Sequence, residues 1–159
     1  MRAVIQRVKA AQVTVMGDLV SSIGPGLCVL VGLKTNDTKA DVEYMVRKIL
    51  ALRLFEDEAG KRWQKSAKDL ELEILCVSQF TLYNRLKGNK PDFSAAMKGD
   101  EAQELYKHFL DRLKLSYDSS KIKDGKFGAY MQVHIQNDGP VTIDLESPDQ
   151  KVEKEHVDK

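Results

Sequence analysis

The chain has 159 residues, room for one domain of ordinary size, and its 42% of hydrophobic residues suffices for a single core. Twenty-five Lys and Arg stand against 24 Asp and Glu, a formal net charge of +1, so no global excess of positive charge draws the chain to nucleic acid or an anionic membrane. Aromatic residues at 7%, ten Gly and four Pro exclude collagen-like and low-complexity classes, and no apolar run reaches the roughly 18 residues that a membrane-spanning helix needs.

In chain order, residues 2–8 and 10–16 are β-branched stretches, and Gly17-Asp18 offers a turn into Leu19-Val20, which reads as a hairpin. Leu27 to Leu33 is continuously apolar after Gly24-Pro25-Gly26 and reads as a buried strand. From Thr38 to Ala51, Val42, Met45, Val46, Ile49 and Leu50 keep helical spacing, with Asp37 or Thr38 as N-cap. Leu52 to Phe55 resumes extended character, Glu56 to Gly60 is a charged turn, and Glu71 to Tyr83 holds a second apolar run that reads as a central strand. Lys87 to Pro91 is a basic loop. Asp100 then offers a cap, with Gln103 three residues on, for a helix that carries Ala102, Leu105, Tyr106, Phe109 and Leu113 on one face and ends near Leu115.

Residues 127–136 alternate, with Phe127, Ala129, Met131, Val133 and Ile135 on one face and Tyr130, Gln132, His134 and Gln136 on an uncharged polar one. Asn137-Asp138-Gly139 reads as a turn leading through Pro140 into Val141 to Leu145, a terminal hairpin. The order predicts an α+β class: a β-rich curled sheet or barrel-like single domain over residues 1–147 with two main helices. Residues 148–159, charged and nearly without apolar side chains, predict a flexible C-terminal tail.

The usual catalytic signatures are missing. HExxH, GxxxxGK[ST] and GxSxG do not occur, and neither His108, His134 nor His156 falls where a general base is expected. Cys28 and Cys76 lie inside apolar runs without metal-ligand or CxxC spacing, so they read as buried thiols, and neither metal nor cofactor is expected. The start MRAVIQRVKA lacks the apolar stretch and cleavage site of a signal peptide, which predicts a cytoplasmic protein with the nucleus left open.

Two short features remain. In Ser78-Gln79-Phe80-Thr81, polar side chains appear where an apolar strand ends, which marks either the edge of a pocket or local hydrogen bonding to backbone. In Asn137-Asp138-Gly139-Pro140, a Gly that permits close backbone approach precedes a Pro that removes a donor and leaves carbonyl oxygens free to meet an ammonium group.

SQFTL at 78–82, GNKPDF at 88–93, GKFGAYMQV at 125–133 and NDGPVTI at 137–143 resemble the D-aminoacyl-tRNA deacylase family, also called the D-tyrosyl-tRNA deacylases. The opening MRAVIQRVKAAQVTV and the segment VRKILALRLFEDEAGK are similar to the same family, and GKFGAYMQVHIQNDGPVTIDLESP is similar to its animal members. The resemblance implies a homodimer that hydrolyses the ester between tRNA and a D-amino acid, or a mischarged glycine, as chiral proofreading. It implies that Ser78, Gln79, Phe80 and Thr81 meet the adenosine and the scissile ester, with backbone N–H groups near Gln79 and Phe80 holding the oxyanion. Ala102, Phe127 and Met131 match pocket-lining positions, and Gly139-Pro140 matches a Gly-cisPro motif that enters the other subunit's site.

Catalysis in such proteins is expected to use the 2′-hydroxyl of the terminal adenosine, with Thr81 as covalent nucleophile the other route. With so little net charge, phosphate contacts fall to Arg85, Lys87 and Lys90 or to Lys121, Lys123 and Lys126, which otherwise are solvated loop residues. The alternative function is a non-catalytic nucleic-acid-binding dimer that retains the fold. DNA as a partner has no support in the sequence, and no membrane partner is expected.

Overall fold

The computed structural model describes residues 1–149; the expected tail therefore lies almost wholly outside the described residues. Three strands open the chain: β1 (Arg2–Val15), β2 (Asp18–Ile23) and β3 (Gly26–Gly32). They are followed by α1 (Lys39–Ala51), β4 (Glu73–Ser78), the short pair β5 (Arg85–Lys87) and β6 (Lys90–Asp92), α2 (Gly99–Ser116), β7 (Ile122–Asp124) and β8 (Gln132–Glu146). The six-stranded sheet runs β2-β1-β3-β4-β7, with β8 on the other edge of β1. The sheet curls until Ser21 Oγ of β2 donates to the Asp124 carbonyl of β7 at 2.7 Å, nearly closing a barrel, and both helices cover one face. This is the α+β barrel-like domain with two helices that the pattern of apolar residues predicts.

Residues 2–16 do not form two stretches but one strand that changes its buried face. Ala3 and Ile5 pack beneath the helices with Val29 and Ile74, whereas Val8, Ala11 and Val13 join a second cluster with Cys28, Leu75 and Val77. Strict alternation would leave Ala11 and Val13 on the face of Ile5. The register against β8 steps from Val8↔Asn137 to Ala10↔Gln136, two residues of β1 against one of β8, and that extra residue turns the strand over.

Several local expectations need correction. The first hairpin turns at Met16-Gly17, one residue earlier than expected, since both have positive φ (50° and 84°), as a tight two-residue turn requires. The apolar run Glu71 to Tyr83 is strand only for Glu73–Ser78, and a single 3₁₀ turn over Phe80–Leu82 breaks it. Lys87 to Pro91 is not loop throughout: β5 and β6 pair around Gly88-Asn89. Asp100 does not cap α2; Lys98 holds the cap position without a side-chain bond, and Asp100 lies in the first turn.

The strand expected from Phe127 begins only at Gln132, and the terminal hairpin does not exist. β8 runs on through Asn137–Pro140 because β1 is long enough to pair with both of its halves, Gln132–Asn137 and Thr142–Glu146. Asn137 closes the excursion within the strand: its Oδ1 accepts the Val141 N–H at 3.0 Å and its Nδ2 donates to Thr142 Oγ1 at 2.8 Å.

α1 follows its sequence closely. Thr38 and Asp41 form a capping box, and Val42, Met45, Val46, Ile49 and Leu50 are buried, each contributing about 1.5–3 kcal/mol relative to exposure. The same cap joins the two ends of the domain. The Met1 ammonium, fully buried, donates to Asp37 Oδ1 at 2.8 Å and Ser147 Oγ at 2.9 Å, and Ser147 Oγ donates to Asp41 Oδ1 at 2.7 Å. Ser147 is thus a buried anchor, the last residue before the polar segment. Burial pushes the Asp41 carboxyl up, but hydrogen bonds from Thr38 and Ser147 and the nearby ammonium outweigh it, and the net displacement is below the ordinary carboxylate value.

Removing the charge partner exposes the cost of that burial. Asp37→Ala leaves an uncompensated ammonium in the core and is expected to cost about 3–5 kcal/mol, read from the urea midpoint. A depressed native carboxyl stabilises above its unfolded value and loses that contribution as pH falls through the native value. Urea titrations on the acid side of pH 4 should therefore show a steeper loss of stability for the native sequence than for Asp41→Asn.

Candidate active site

β4 ends where its apolar register ends. Leu75, Cys76 and Val77 are buried, Ser78 is half-buried, and the chain then breaks into the 3₁₀ turn of Phe80–Leu82. Gly32 of β3 makes room for that turn: a Cβ there would lie 2.9 Å from Leu82 Cβ and 3.0 Å from the Gln79 carbonyl. Beside it opens a cavity of about 620 Å³. Its walls are the ends of β3 and β4, the start of α2 with Met97 and Ala102, the loop Phe127–Met131, and Val133 and Ile135 of β8.

Of the residues singled out in the sequence, Ser78, Gln79, Phe80, Ala102, Phe127 and Met131 all line this cavity. Thr81 does not, and its carbonyl accepts the Asn84 amide at 2.8 Å. The Gln79 N–H, expected near the oxyanion, already donates to the Val31 carbonyl at 2.7 Å. The strand-to-turn junction spends that donor on β3. Free first-turn N–H groups therefore belong to Phe80 and Thr81.

The lining is apolar and aromatic. Phe80 is 57% exposed and meets Phe93 edge-to-face at 5.1 Å, and Tyr130 is 89% exposed at the rim. Among the described residues, the titratable ones of the wall are Lys98, Tyr106 and Tyr130, with no carboxylate and no imidazole. His108 lies half-buried on α2 and His134 is exposed on β8, both outside the cavity, and His156 lies outside the described residues. Burial pushes the Cys28 thiol up to about 11 and the Cys76 thiol well above its ordinary value, so neither is a nucleophile.

Gly139 and Pro140 are absent from the wall of their own chain's cavity. Both are exposed, the bond between them is cis, and Gly139 has φ +126°. Arg7, which the sequence reading passed over, holds this segment. Its Nε donates to the Asp138 carbonyl at 3.2 Å, its Nη1 donates to the Leu54 carbonyl at 2.7 Å, and Nη2 would lie 3.0 Å from a Cβ on Gly139. A cation between Gln6 and Val8 of a β-branched strand was the available signal. Only the fold shows that it clamps the excursion in β8.

The basic candidates divide. Arg85, Lys87 and Lys90 stand exposed on the β5–β6 hairpin, which leads into Phe93 at the cavity rim, and Lys87 pairs with Asp92 at 3.5 Å. Lys126 is exposed next to Phe127, but Lys121 and Lys123 are half-buried along β7. Lys98 lines the cavity and was not anticipated.

Tyr106 ties the cavity wall to a carboxylate behind it. Tyr106 Oη donates to Asp124 Oδ1 at 2.6 Å, and its ring meets Phe127 at 5.6 Å. Burial pushes the Asp124 carboxyl up against the opposing hydrogen bonds from Tyr106 and Gly125. Tyr106→Phe leaves that carboxylate short of a donor and frees the ring beneath Phe127. The expected result is a loss of about 1–3 kcal/mol in thermal or urea unfolding, with the fold retained by circular dichroism.

Comparison with known proteins is consistent along the whole domain. A D-aminoacyl-tRNA deacylase of Drosophila melanogaster is 80% identical over 159 residues, covering all of both chains. D-aminoacyl-tRNA deacylase 1 of Homo sapiens is 62% identical over 148 residues, 93% of this chain and 71% of that one. A solved structure described as a c-Myc DNA unwinding element binding protein superposes with a TM-score of 0.91 at 62% identity, over 94% of this chain and 100% of that one. A probable eukaryotic D-amino acid tRNA deacylase shares the fold at TM-score 0.78 and 18% identity, over 91% of this chain and 98% of that one. The D-Tyr-tRNA(Tyr) deacylase family matches residues 4–146, and this chain belongs to it.

Proposed function

We propose that the cavity at the end of β4 takes the 3′-terminal D-aminoacyl-adenosine of tRNA and hydrolyses the ester that joins them. Family membership fixes the reaction class: the chain is a D-aminoacyl-tRNA deacylase, a carboxylic ester hydrolase releasing free amino acid and tRNA. The observation that carries the finer reading is a wall of aromatic and apolar side chains that, among the described residues, holds no carboxylate or imidazole, a site suited to holding a nucleoside.

In this reading the adenosine 2′-hydroxyl assists the attacking water, the 3′-hydroxyl leaves, and the Phe80 N–H at the 3₁₀ turn meets the developing oxyanion. Thr81 is outside the wall, which weighs against it as nucleophile. A second copy supplies Gly139-Pro140. In their own chain these residues are exposed and not part of the cavity wall, yet Arg7 holds their backbone at a fixed place. Such a backbone wall rejects by shape. Inverting the α-carbon exchanges side chain and hydrogen, so an L side chain meets the wall, while a D side chain and glycine do not. Carbonyl oxygens of the pair would face the α-ammonium.

Nucleic-acid binding without catalysis is the second reading. Its one observation is the similarity to the structure described as a DNA unwinding element binding protein. One assay separates them: hydrolysis of D-Tyr-tRNA, L-Tyr-tRNA and a D-Tyr-tRNA ending in 2′-deoxyadenosine. The expected result is rapid cleavage of the first only, with Thr81→Ala retaining most activity and Arg7→Ala gaining measurable activity on L-Tyr-tRNA. Trapping of an acyl-Thr81 species, or full activity on the deoxy substrate, would overturn the substrate-assisted step. Loss of D-activity in Arg7→Ala with no gain on L substrates would overturn the shape filter.

A further inference from the structure

We propose that the hairpin Phe55–Lys65 is a second nucleic-acid contact, gripping the sugar–phosphate stem of a tRNA whose 3′ end occupies a neighbouring subunit's cavity; this rests on the deacylase reading above. The hairpin is closed by paired backbone bonds between Phe55 and Lys65 at 2.9 and 3.0 Å and by Asp57 N–H to the Lys61 carbonyl at 3.0 Å. Its returning arm reads Lys61-Arg62-Trp63-Gln64-Lys65, cations on both sides of an indole.

Trp63 is the unusual residue. It is 52% exposed and has φ +62°, a left-handed conformation that bulky side chains rarely adopt. Among the described residues, neither an aromatic ring nor a cation stacks on it. The fold therefore displays an indole to solvent in an unfavourable backbone conformation, where a turn-forming polar residue would sit without cost.

The charges beside it are available. Lys61, Arg62 and Lys65 are exposed, and none of them forms an ion pair among the described residues, although Lys65 and Arg53 help hold the Asp69 carboxyl below its ordinary value. The outgoing arm holds Glu56, Asp57 and Glu58. Of these, Asp57 is turned into the loop, where its carboxylate accepts the Ala59 and Lys61 N–H groups at 3.0 and 2.9 Å. An exposed indole between unpaired cations suits a polyanion with accessible sugar and base faces.

Position selects which polyanion. The Arg7 guanidinium reaches the Leu54 carbonyl at the root of the hairpin and the Asp138 carbonyl beside Gly139. One side chain thus spans the hairpin root and the segment proposed to enter a partner's cavity. Arg7 holds the hairpin root to that segment, so in the proposed assembly the hairpin lies near the cavity that the segment enters, and the part of a docked tRNA next to its 3′ end is the acceptor stem.

The test uses the full chain and two substrates, D-Tyr-tRNA and 3′-O-(D-tyrosyl)adenosine, which lacks a stem. The variants are Lys61→Glu/Arg62→Glu together and, separately, Trp63→Asn, a residue that tolerates left-handed backbone and so preserves the hairpin. Expected for both variants is a rise in KM for D-Tyr-tRNA of about tenfold or more with unchanged kcat, and for the charge reversal a salt dependence of that KM shallower by about one to two logarithmic units per decade. Hydrolysis of the tyrosyl adenosine and the mass of the assembly should also stay unchanged. Equal loss on both substrates, an unchanged KM and salt slope, or dissociation of the assembly on Trp63→Asn would overturn the proposal. Failure of the deacylase reading looks different: the unmodified chain would then cleave neither substrate.

Discussion

One long strand governs this molecule. β1 pairs with β2 and β3 along one edge and with β8 along the other, and its single extra residue between Val8 and Ala10 transfers its buried side chains from the helix-covered core to the interior of the curl. Without that transfer the sheet would have one buried face and the usual solvated one. With it, Val13, Val77, Met131, Val133 and Ile135 converge, and the cavity opens where their cluster meets the start of α2. The Asn137–Pro140 excursion in β8 is a second shift of the same ladder, between Gln6 and Val8, so the turning of β1 and the exposed Gly139-Pro140 segment come from two adjacent slips in register of opposite sense.

The division of labour around the cavity follows from dielectric arguments. A buried ionised carboxylate or imidazolium is costly in an apolar wall unless it is paired. Asp124, the carboxylate behind the wall, is paired with Tyr106 and raised by burial, which suits it to holding that wall. In the proposed reading such a site binds by contact and leaves proton handling to the substrate and water. Cations are kept to the rim and to the hairpins, where phosphates would pass and where water still solvates unoccupied charges.

Arg7 shows how a side chain acts through backbone. Its guanidinium donates to two carbonyls from separate segments, Leu54 and Asp138, and its Nη2 would lie only 3.0 Å from a Cβ on Gly139, whose φ of +126° favours glycine in any case. Glycine there meets both a steric and a conformational demand. The planar fork fits that task because its donors are fixed relative to one another, which the single flexible ammonium of lysine does not match.

Much of this was legible from residues alone. Spacing and caps determined α1, the continuous apolar run determined β3, and the change of polarity at Ser78 marked the mouth of a cavity, because each depends on residues a few positions apart. The SQFT and NDGP segments carried the family. What the sequence left undecided was everything set by pairing across the chain: that Asn137-Asp138-Gly139 continues a strand where its own propensity favours a reversal, that Gln79 spends its N–H on Val31, that Arg7 reaches Asp138, and that Ser147 closes on Met1. Local preference for a turn is worth little against a full ladder offered by β1, and only the tertiary structure says that the ladder is there.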